Sequence, residues 1–496
     1  MKISRTLPAL AAASLLLLPA CRVVGPNYTR PSTPGAPLYK EQAPVTFKEV
    51  EGWKKSNPRD EMSRGSWWEM FGDPRLNEYE LRAMVANQNV RQSEAAFREA
   101  RALILVNRSG YYPTVSASPG ASASQNSGVF RTTSSTITTT GNSAAGKVST
   151  FLSLPFEVAW EPDLWGRVRR TVENAVDTAQ ASAADLENVR LTIQSEVAID
   201  YFQLRTLDAT AQLLENSVVA YEKALQLTTN RYHGGVASQV DVAQAQTQVE
   251  TTRAQLIDIG VSRSQFEHAI AALAGEPAST FSIPRLPIDG LPPAVPPGLP
   301  SELLERRPDV ATSERRVAAA NAEIGVAQAA YYPTLSLSAA LGIQGSFTSF
   351  FTGPARFWSL GPGLAQTLFD AGRRRGLTEQ AIAAYDQTVA SYRQSVLTAF
   401  QEVEDNLAAL RILEQEADRQ NAAVTAAEKS LSLSLDRYKG GIATYLEVIT
   451  AQALALSNER TAVSLLGRRM VADVQLVKAL GGGWDTSKLP TEHSMR

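Results

Sequence analysis

The chain has 496 residues, a formal net charge of −2 and 44% hydrophobic residues, ordinary values for a folded protein. No basic patch with interleaved aromatics appears, which speaks against a nucleic-acid partner, and a single cysteine leaves no disulfide framework. Beyond Leu18 no run reaches the roughly 18 apolar residues of a membrane helix, so a mature chain that crosses a membrane must do so as a closed β-barrel.

Lys2 and Arg5 precede an apolar core from Leu7 to Leu18 that is too short to remain as a span, so residues 1–20 are expected to be a signal peptide. Leu18-Pro19-Ala20-Cys21 resembles a bacterial lipoprotein processing box, with Cys21 as the lipidated mature N-terminus. An ordinary cleavage site that happens to contain a cysteine is the plain alternative. By the same resemblance Arg22, standing where an inner-membrane lipoprotein has aspartate, points to the outer membrane.

The rest of the chain repeats itself. Tyr111-Tyr112-Pro113-Thr114 returns as Tyr331-Tyr332-Pro333-Thr334, about 220 residues later. Arg231-Tyr232-His233-Gly234-Gly235-Val236-Ala237-Ser238 returns as Arg437-Tyr438-Lys439-Gly440-Gly441-Ile442-Ala443-Thr444, about 206 residues later. The two offsets place a longer loop in the first strand pair, at a hairpin tip, where insertions are cheapest. The period is far too long for a solenoid. Two copies of one supersecondary unit are expected, over 74–275 and 301–481, joined by a Pro-rich linker over 276–300.

Each copy opens with a helical stretch, about Pro74 to Gly110 and Pro300 to Ala330. After the Tyr-Tyr-Pro turn the apolar period changes from 3.6 to 2. Val115, Ala117, Ala121 and Ala123 alternate with small polar residues; Val148, Leu152, Leu154, Phe156, Val158 and Trp160 share one face. Leu335, Leu337, Ala339, Leu341 and Ile343 repeat the pattern, and Trp358, Leu360, Leu364 and Leu368 complete it. The two pairs, within 111–162 and 331–370, have the length of tilted membrane strands, with aromatics at their ends. The loops between them, Asn126 to Gly146 and Gly345 to Arg356, are rich in Ser, Thr and Gly. Four strands cannot close a barrel, and edge strands cannot be left open in lipid, so several chains must share one barrel. A soluble pair of hairpins packed on the helices is the bland alternative.

Proline is absent from Asp163 to Glu276 and from Gly363 to Leu489. Leu186, Val189, Ile193, Val197, Tyr201, Leu204 and their successors recur at three- and four-residue steps, which keeps one face against a neighbour over many turns. Helices over 166–232 and 372–438 would each be about 100 Å long at 1.5 Å per residue. Such rods must lie beside other rods. The Gly-Gly pairs offer the left-handed conformation that ends a helix, and Ser238 and Thr444 are placed to cap the returning helices, 236–275 and 442–481. Each pair is thus the apex of an αα-hairpin.

At this point the chain resembles the TolC-type outer-membrane factors, in their lipoprotein branch of efflux channels. The resemblance covers essentially the whole mature chain. It rests on Trp67-Trp68-Glu69-Met70-Phe71-Gly72-Asp73-Pro74, both Tyr-Tyr-Pro-Thr strand starts, and Leu303-Leu304-Glu305-Arg306-Arg307-Pro308-Asp309-Val310. Ala399-Phe400-Gln401-Glu402-Val403, the two Gly-Gly apices and Lys478-Ala479-Leu480-Gly481-Gly482-Gly483-Trp484 complete it. It implies a mainly α fold with membrane β: a homotrimer whose four-stranded contributions close a twelve-stranded barrel, above a long-helix α-barrel. Residues 21–73, the Pro-rich linker and the tail 482–496 would form a mixed equatorial layer. The implied function is that of a passive exit duct for drugs or other small molecules, without enzymatic activity, cofactor or metal. A periplasmic adaptor would dock at the apices, Gly234 to Ser238 and Gly440 to Thr444, and an inner-membrane pump of the resistance-nodulation-division type would supply the energy. The resemblance further places Asp241 and Tyr438 at an aperture lock opened by iris-like movement of the tips, and Glu447 in a pore-constricting acidic ring. Ala443 and Thr450 depart from that pattern, which has an arginine and a second aspartate there. The bland reading of Asp241 and Glu447 is a first-turn acid favoured by the helix dipole.

Other classes fit less well. The three histidines, His233, His268 and His493, are far apart, and no zinc spacing, phosphate loop or nucleophile elbow is present. A periplasmic coiled-coil adaptor would share the lipid anchor and the helical hairpins but not duplicated membrane-length strands. The same fold serving protein secretion remains a distinct alternative, with the lipoprotein box and Arg306-Arg307-Pro308-Asp309 leaning towards efflux.

Overall fold

A computed structural model describes residues 23–33, 35, 39–41, 66–125, 148–295 and 303–495. Cys21, the signal peptide, the first inter-strand loop and the end of the Pro-rich linker lie outside the described residues. A short turn at Trp67–Phe71 leads into α1 (Pro74–Ala86) and α2 (Gln88–Arg108), followed by β1 (Thr114–Ala117), β2 (Gly120–Gln125) and β3 (Val148–Trp160). Then come α3 (Arg167–His233), α4 (Gln239–Leu273), α5 (Pro308–Ala329), β4 (Thr334–Gly345), β5 (Arg356–Ala365), α6 (Arg373–Lys439) and α7 (Tyr445–Ala479).

The strands form one antiparallel sheet in the order β1/β2, β3, β4, β5. Cross-strand partners share a face, and the register puts Val115 opposite Val158, Phe156 opposite Leu341, and Leu341 opposite Trp358. One face is therefore apolar except at its outer end, where Gln125, Thr150 and Arg356 lie on it, and its Phe156, Leu341, Trp358, Leu360 and Leu364 are exposed. The other face carries Ser116, Ser153, Glu157, Ser336, Ser338 and Ser359. The first strand is not continuous as expected. It breaks at Ser118-Pro119, because proline has no N–H to give the ladder. Leu368, expected on the last strand, lies beyond its end and is exposed.

The helices repeat the strand order. Near the sheet, α2, α3, α5 and α6 lie side by side; at the far end the row is α4, α3, α7 and α6. The long helices α3 and α6 have 67 residues each, one residue off the expected bounds. They are used differently. Buried residues crowd several faces of α3 from Val168 to Thr228. The middle of α6 is buried along one row only, Tyr392, Val396, Ala399, Val403, Leu407, Leu410 and Leu413, so its opposite side is bare. Leu397, Ile412 and Leu433 stand exposed there. On the far edge of the layer, Leu103, Leu105 and Val106 of α2 and Ile257 and Val261 of α4 are also exposed.

Two further boundaries differ from expectation. The stretch from Pro74 to Gly110 is two helices, because the Asn87 side chain accepts from the N–H groups of Asn89 and Val90 and so starts a new helix. Its amide also donates to the Leu273 carbonyl at 2.9 Å, seating the end of α4 in the break. The helix expected from Pro300 starts instead at Pro308, after one turn at Leu303–Arg306, since proline suits a first helical position.

Non-helical segments pack at mid-height on the rods. At one end of this layer, near the sheet, Val24 N–H donates to the Trp165 carbonyl at 3.0 Å, and lower down Glu41 pairs with Arg411 at 2.6 Å. The buried Arg205 donates to the carbonyls of Pro284 and Leu286 at 2.9 and 3.3 Å and lies over the Tyr201 ring. That network satisfies a charge which, left unpaired, would cost several kcal/mol. Arg307 stands in the second copy where Asn87 stands in the first and likewise donates to the end of the returning helix, at the Ala479 carbonyl, while Asp309 and Glu402 balance its charge. In the tail, Trp484 packs with Ala184 and Ala311.

Candidate functional site

Both helix hairpins turn by the same device. Val236 N–H donates to the Arg231 carbonyl and Gly235 N–H to the Tyr232 carbonyl, at 2.8 and 2.9 Å; Ile442 to Arg437 and Gly441 to Tyr438 repeat this at 2.9 and 3.0 Å. These are Schellman closures. The left-handed residue is the second glycine of each pair, Gly235 and Gly441, both with φ +74°. Gly234 and Gly440 keep φ near the helical range, so one glycine of each pair supplies the left-handed residue.

The returning helices start differently. Ser238 caps α4 and forms a full capping box with Asp241: the Ser238 hydroxyl accepts from Asp241 N–H, and the Asp241 carboxylate accepts from Ser238 N–H at 2.9 Å. Thr444 occupies the capping position of α7 but makes no side-chain bond there. Val236 and Ile442 project from the two tips, 67% and 76% exposed, beside Ala237 and Ala443.

Tyr438 is 4% exposed, held between the hairpins. Its hydroxyl donates to the Thr228 hydroxyl at 3.3 Å, and its ring sits 5.3 Å from that of Tyr445. Burial first, and Tyr438 beside it, push the Tyr445 hydroxyl up to about 12, so it stays neutral. Within one chain the hydrogen bonds of Asp241 run to Ser238, not to Tyr438. Glu447 pairs with Arg437 of its own hairpin at 3.2 Å. The structure thus gathers Tyr438, Tyr445 and Thr228 into one joint and leaves Asp241 and Glu447 on the exposed first turns. Thr228 and Arg231 belong to this joint, and sequence reasoning missed them; a shared Arg-Tyr before each Gly-Gly pair was the available signal. Among the described residues no group of three or more His, Cys, Asp or Glu side chains could hold a metal ion.

The opposite end of the rods carries an aromatic band. The Trp165 indole donates to the Pro333 carbonyl at 2.8 Å and stacks on Tyr332, with centroids 4.7 Å apart. The Trp160 indole donates to the Tyr111 carbonyl at 3.0 Å. Amphipathic rings of this kind suit a membrane interface. No helix among the described residues is long and apolar enough to cross a membrane.

Comparisons with known proteins agree with this architecture. The outer membrane efflux protein family matches residues 82–276 and 299–482, one stretch for each internal copy. The pyoverdine export outer membrane protein OpmQ of Pseudomonas aeruginosa is 31% identical over 479 residues, covering 96% of this chain and 98% of its own. A toluene efflux pump outer membrane protein, TtgC of Pseudomonas putida, is 30% identical over 479 residues, with 95% of each chain covered. Among solved structures the outer-membrane channel OprN superposes with a TM-score of 0.81 at 28% identity, covering 93% of this chain and 99% of that one. A TolC-like fold, with strands at one end and paired helices at the other, is thus shared with that channel, and the chain belongs to the outer membrane efflux protein family as an outer-membrane efflux channel.

Proposed function

We propose that three copies of this chain close into one continuous tube, a passive duct through which an inner-membrane pump of the resistance-nodulation-division type expels small molecules. The observation that carries this reading is the open wall. The sheet ends in β1/β2 on one side and β5 on the other, and the helical layer ends in α2 and α4 on one side and α6 on the other. An open sheet edge is not tolerated in lipid. The two edges differ, so copies join head to tail, and a head-to-tail contact that closes makes a ring. The apolar face of the sheet then meets lipid, while its Ser-rich face lines the lumen. Relatives named for pyoverdine and toluene export support a small-molecule cargo.

The protruding apolar Val236 and Ile442 support docking of a periplasmic adaptor at the two tips. Tyr438 and Asp241 hold the aperture and Glu447 lines it, with opening by outward movement of the tips. Lipid attachment at Cys21 is supported by Val23 and Val24, which lie beside Trp165 at the aromatic band. Cys21 precedes Val23 by two residues, a reach of about 7 Å at most for extended chain. Full-length protein purified in detergent should run as an SDS-sensitive trimer and form channels in planar bilayers. A monomer without conductance would be the wrong result.

A further inference from the structure

The two tips use the same arginine in different ways. Arg437 forms an ion pair with Glu447, three residues into the returning helix of its own hairpin. Asp241 stands at the equivalent position of the first hairpin, one methylene shorter. Its carboxylate folds back onto the Ser238 N–H and hydroxyl, both at 2.9 Å. Arg231, the counterpart of Arg437, is left with no ion pair among the described residues, and its Nε has no partner. It turns instead to the neighbouring hairpin. Its guanidinium lies 4.6 Å from the centroid of the Tyr438 ring, and Nη1 donates to the Lys439 carbonyl at 3.1 Å.

We infer that Arg231 is the tether that fastens the first hairpin tip to the second within each subunit, and that its release frees the tips to part. The inference rests on the proposed opening by tip movement and names the residue that resists it. The chemistry suits the task. Lys439 is the last residue of α6, so its carbonyl lacks a partner within the helix and belongs to the negative end of the dipole, where a cation is favoured. A guanidinium over a tyrosine face adds a cation–π contact. The Tyr438 to Thr228 hydroxyl bond joins the same two helices beside it. Arg437, satisfied inside its own hairpin, has no such reach. The bland reading is an arginine that caps a helix end and does nothing more.

Two variants separate these readings. Arg231→Ala removes the tether. Asp241→Glu restores the missing methylene and should draw Arg231 back into its own hairpin, as Glu447 does Arg437, without changing any charge. Arg437→Ala is the control. Spin labels at Val236→Cys and Ile442→Cys, both on exposed tip positions, report the separation of the tips in the detergent-solubilised full chain. Planar-bilayer recordings report the open population. Both Arg231→Ala and Asp241→Glu should widen the tip-to-tip distance distribution and raise the open population about thirtyfold or more, the combined worth of one exposed cation–π contact and one charge-assisted hydrogen bond. Arg437→Ala should leave the distances unchanged, and the melting temperature of the trimer should stay the same in all three. Unaltered distances in both test variants overturn the tether. Wider distances with unaltered conductance uphold the tether and overturn opening by tip movement.

Discussion

Asp473 is fully buried on α7, and neither of its carboxylate oxygens has a hydrogen-bond partner among the described residues. Burial alone pushes it from 3.8 up to about 8. Folding therefore takes up a proton between those values. The stability this group contributes is fully present below about pH 4 and is lost as the pH rises through 8. Each unit costs about 1.4 kcal/mol, so at pH 7 the penalty relative to a permanently neutral side chain is on the order of 4 kcal/mol per subunit. Asp473→Asn keeps the shape and removes the titration. The amide carries much the same unpaired polarity as the protonated acid, so most of the difference should be visible. The assay is loss of far-ultraviolet circular dichroism on heating in detergent, at one fixed scan rate because unfolding of such assemblies is often irreversible. The variant should melt higher than the wild-type chain at neutral pH, with the gap widening towards pH 8 and closing towards pH 4. Parallel curves over that range would refute the reasoning. Glu80 on α1 is raised for the same reason, so the single variant retains some slope and adding Glu80→Gln should flatten it further.

The face assignment of the sheet can be checked with one pair of neighbours. Leu360, on the apolar face and 75% exposed, should not accept arginine, at a cost of about 2–4 kcal/mol near mid-bilayer, whereas Ser359→Arg on the other face should be tolerated. Equal amounts of assembled protein in the outer-membrane fraction would reverse the assignment. At the crossing of α7 and α3, a Cβ added to Gly467 would overlap the Thr206 hydroxyl and lie 2.8 Å from its methyl. Gly467→Ala gains about 1 kcal/mol of helix propensity but loses about 1–3 kcal/mol to overpacking, because Thr206 is stiff and its hydroxyl is bonded to the Phe202 carbonyl. The clash should win and lower the melting temperature. Adding Thr206→Ala should recover it, and an unchanged melt for the single variant would mean that the helices do not cross so closely.

Much of the architecture could be read from periodicity. The period-two alternation of Val148 to Trp160 is the apolar face seen in the register, and the three- and four-residue spacing from Leu186 onwards is the buried side of α3. The breaks were harder. Pro119 did announce the interruption of the first strand, but the alternation on either side reads as one run. Asn87 carries both an acceptor for a new helix start and a donor for the Leu273 carbonyl, and only the arrival of α4 decides that both are used. The site was legible to the level of its turns. The roles of Arg231, Arg205 and Arg307 were not, because an arginine in a helical pattern looks like a solvated face until a neighbouring segment brings carbonyls to it. Nor could the sequence tell that Asp241 and Glu447, alike in charge and position, would reach different partners.

The dissimilarity of the two lateral margins has a genetic consequence. A self-complementary contact would let a damaged copy be discarded in pairs. Here each subunit must present one sound margin to the neighbour on its left and another to the neighbour on its right. A copy flawed along α6 alone would still be captured through its intact side and would leave a slit in the assembly that took it up. Co-expressed with the normal gene, such a variant should poison most assemblies even as a minority, making the bare side of α6 the place to look for dominant loss of export.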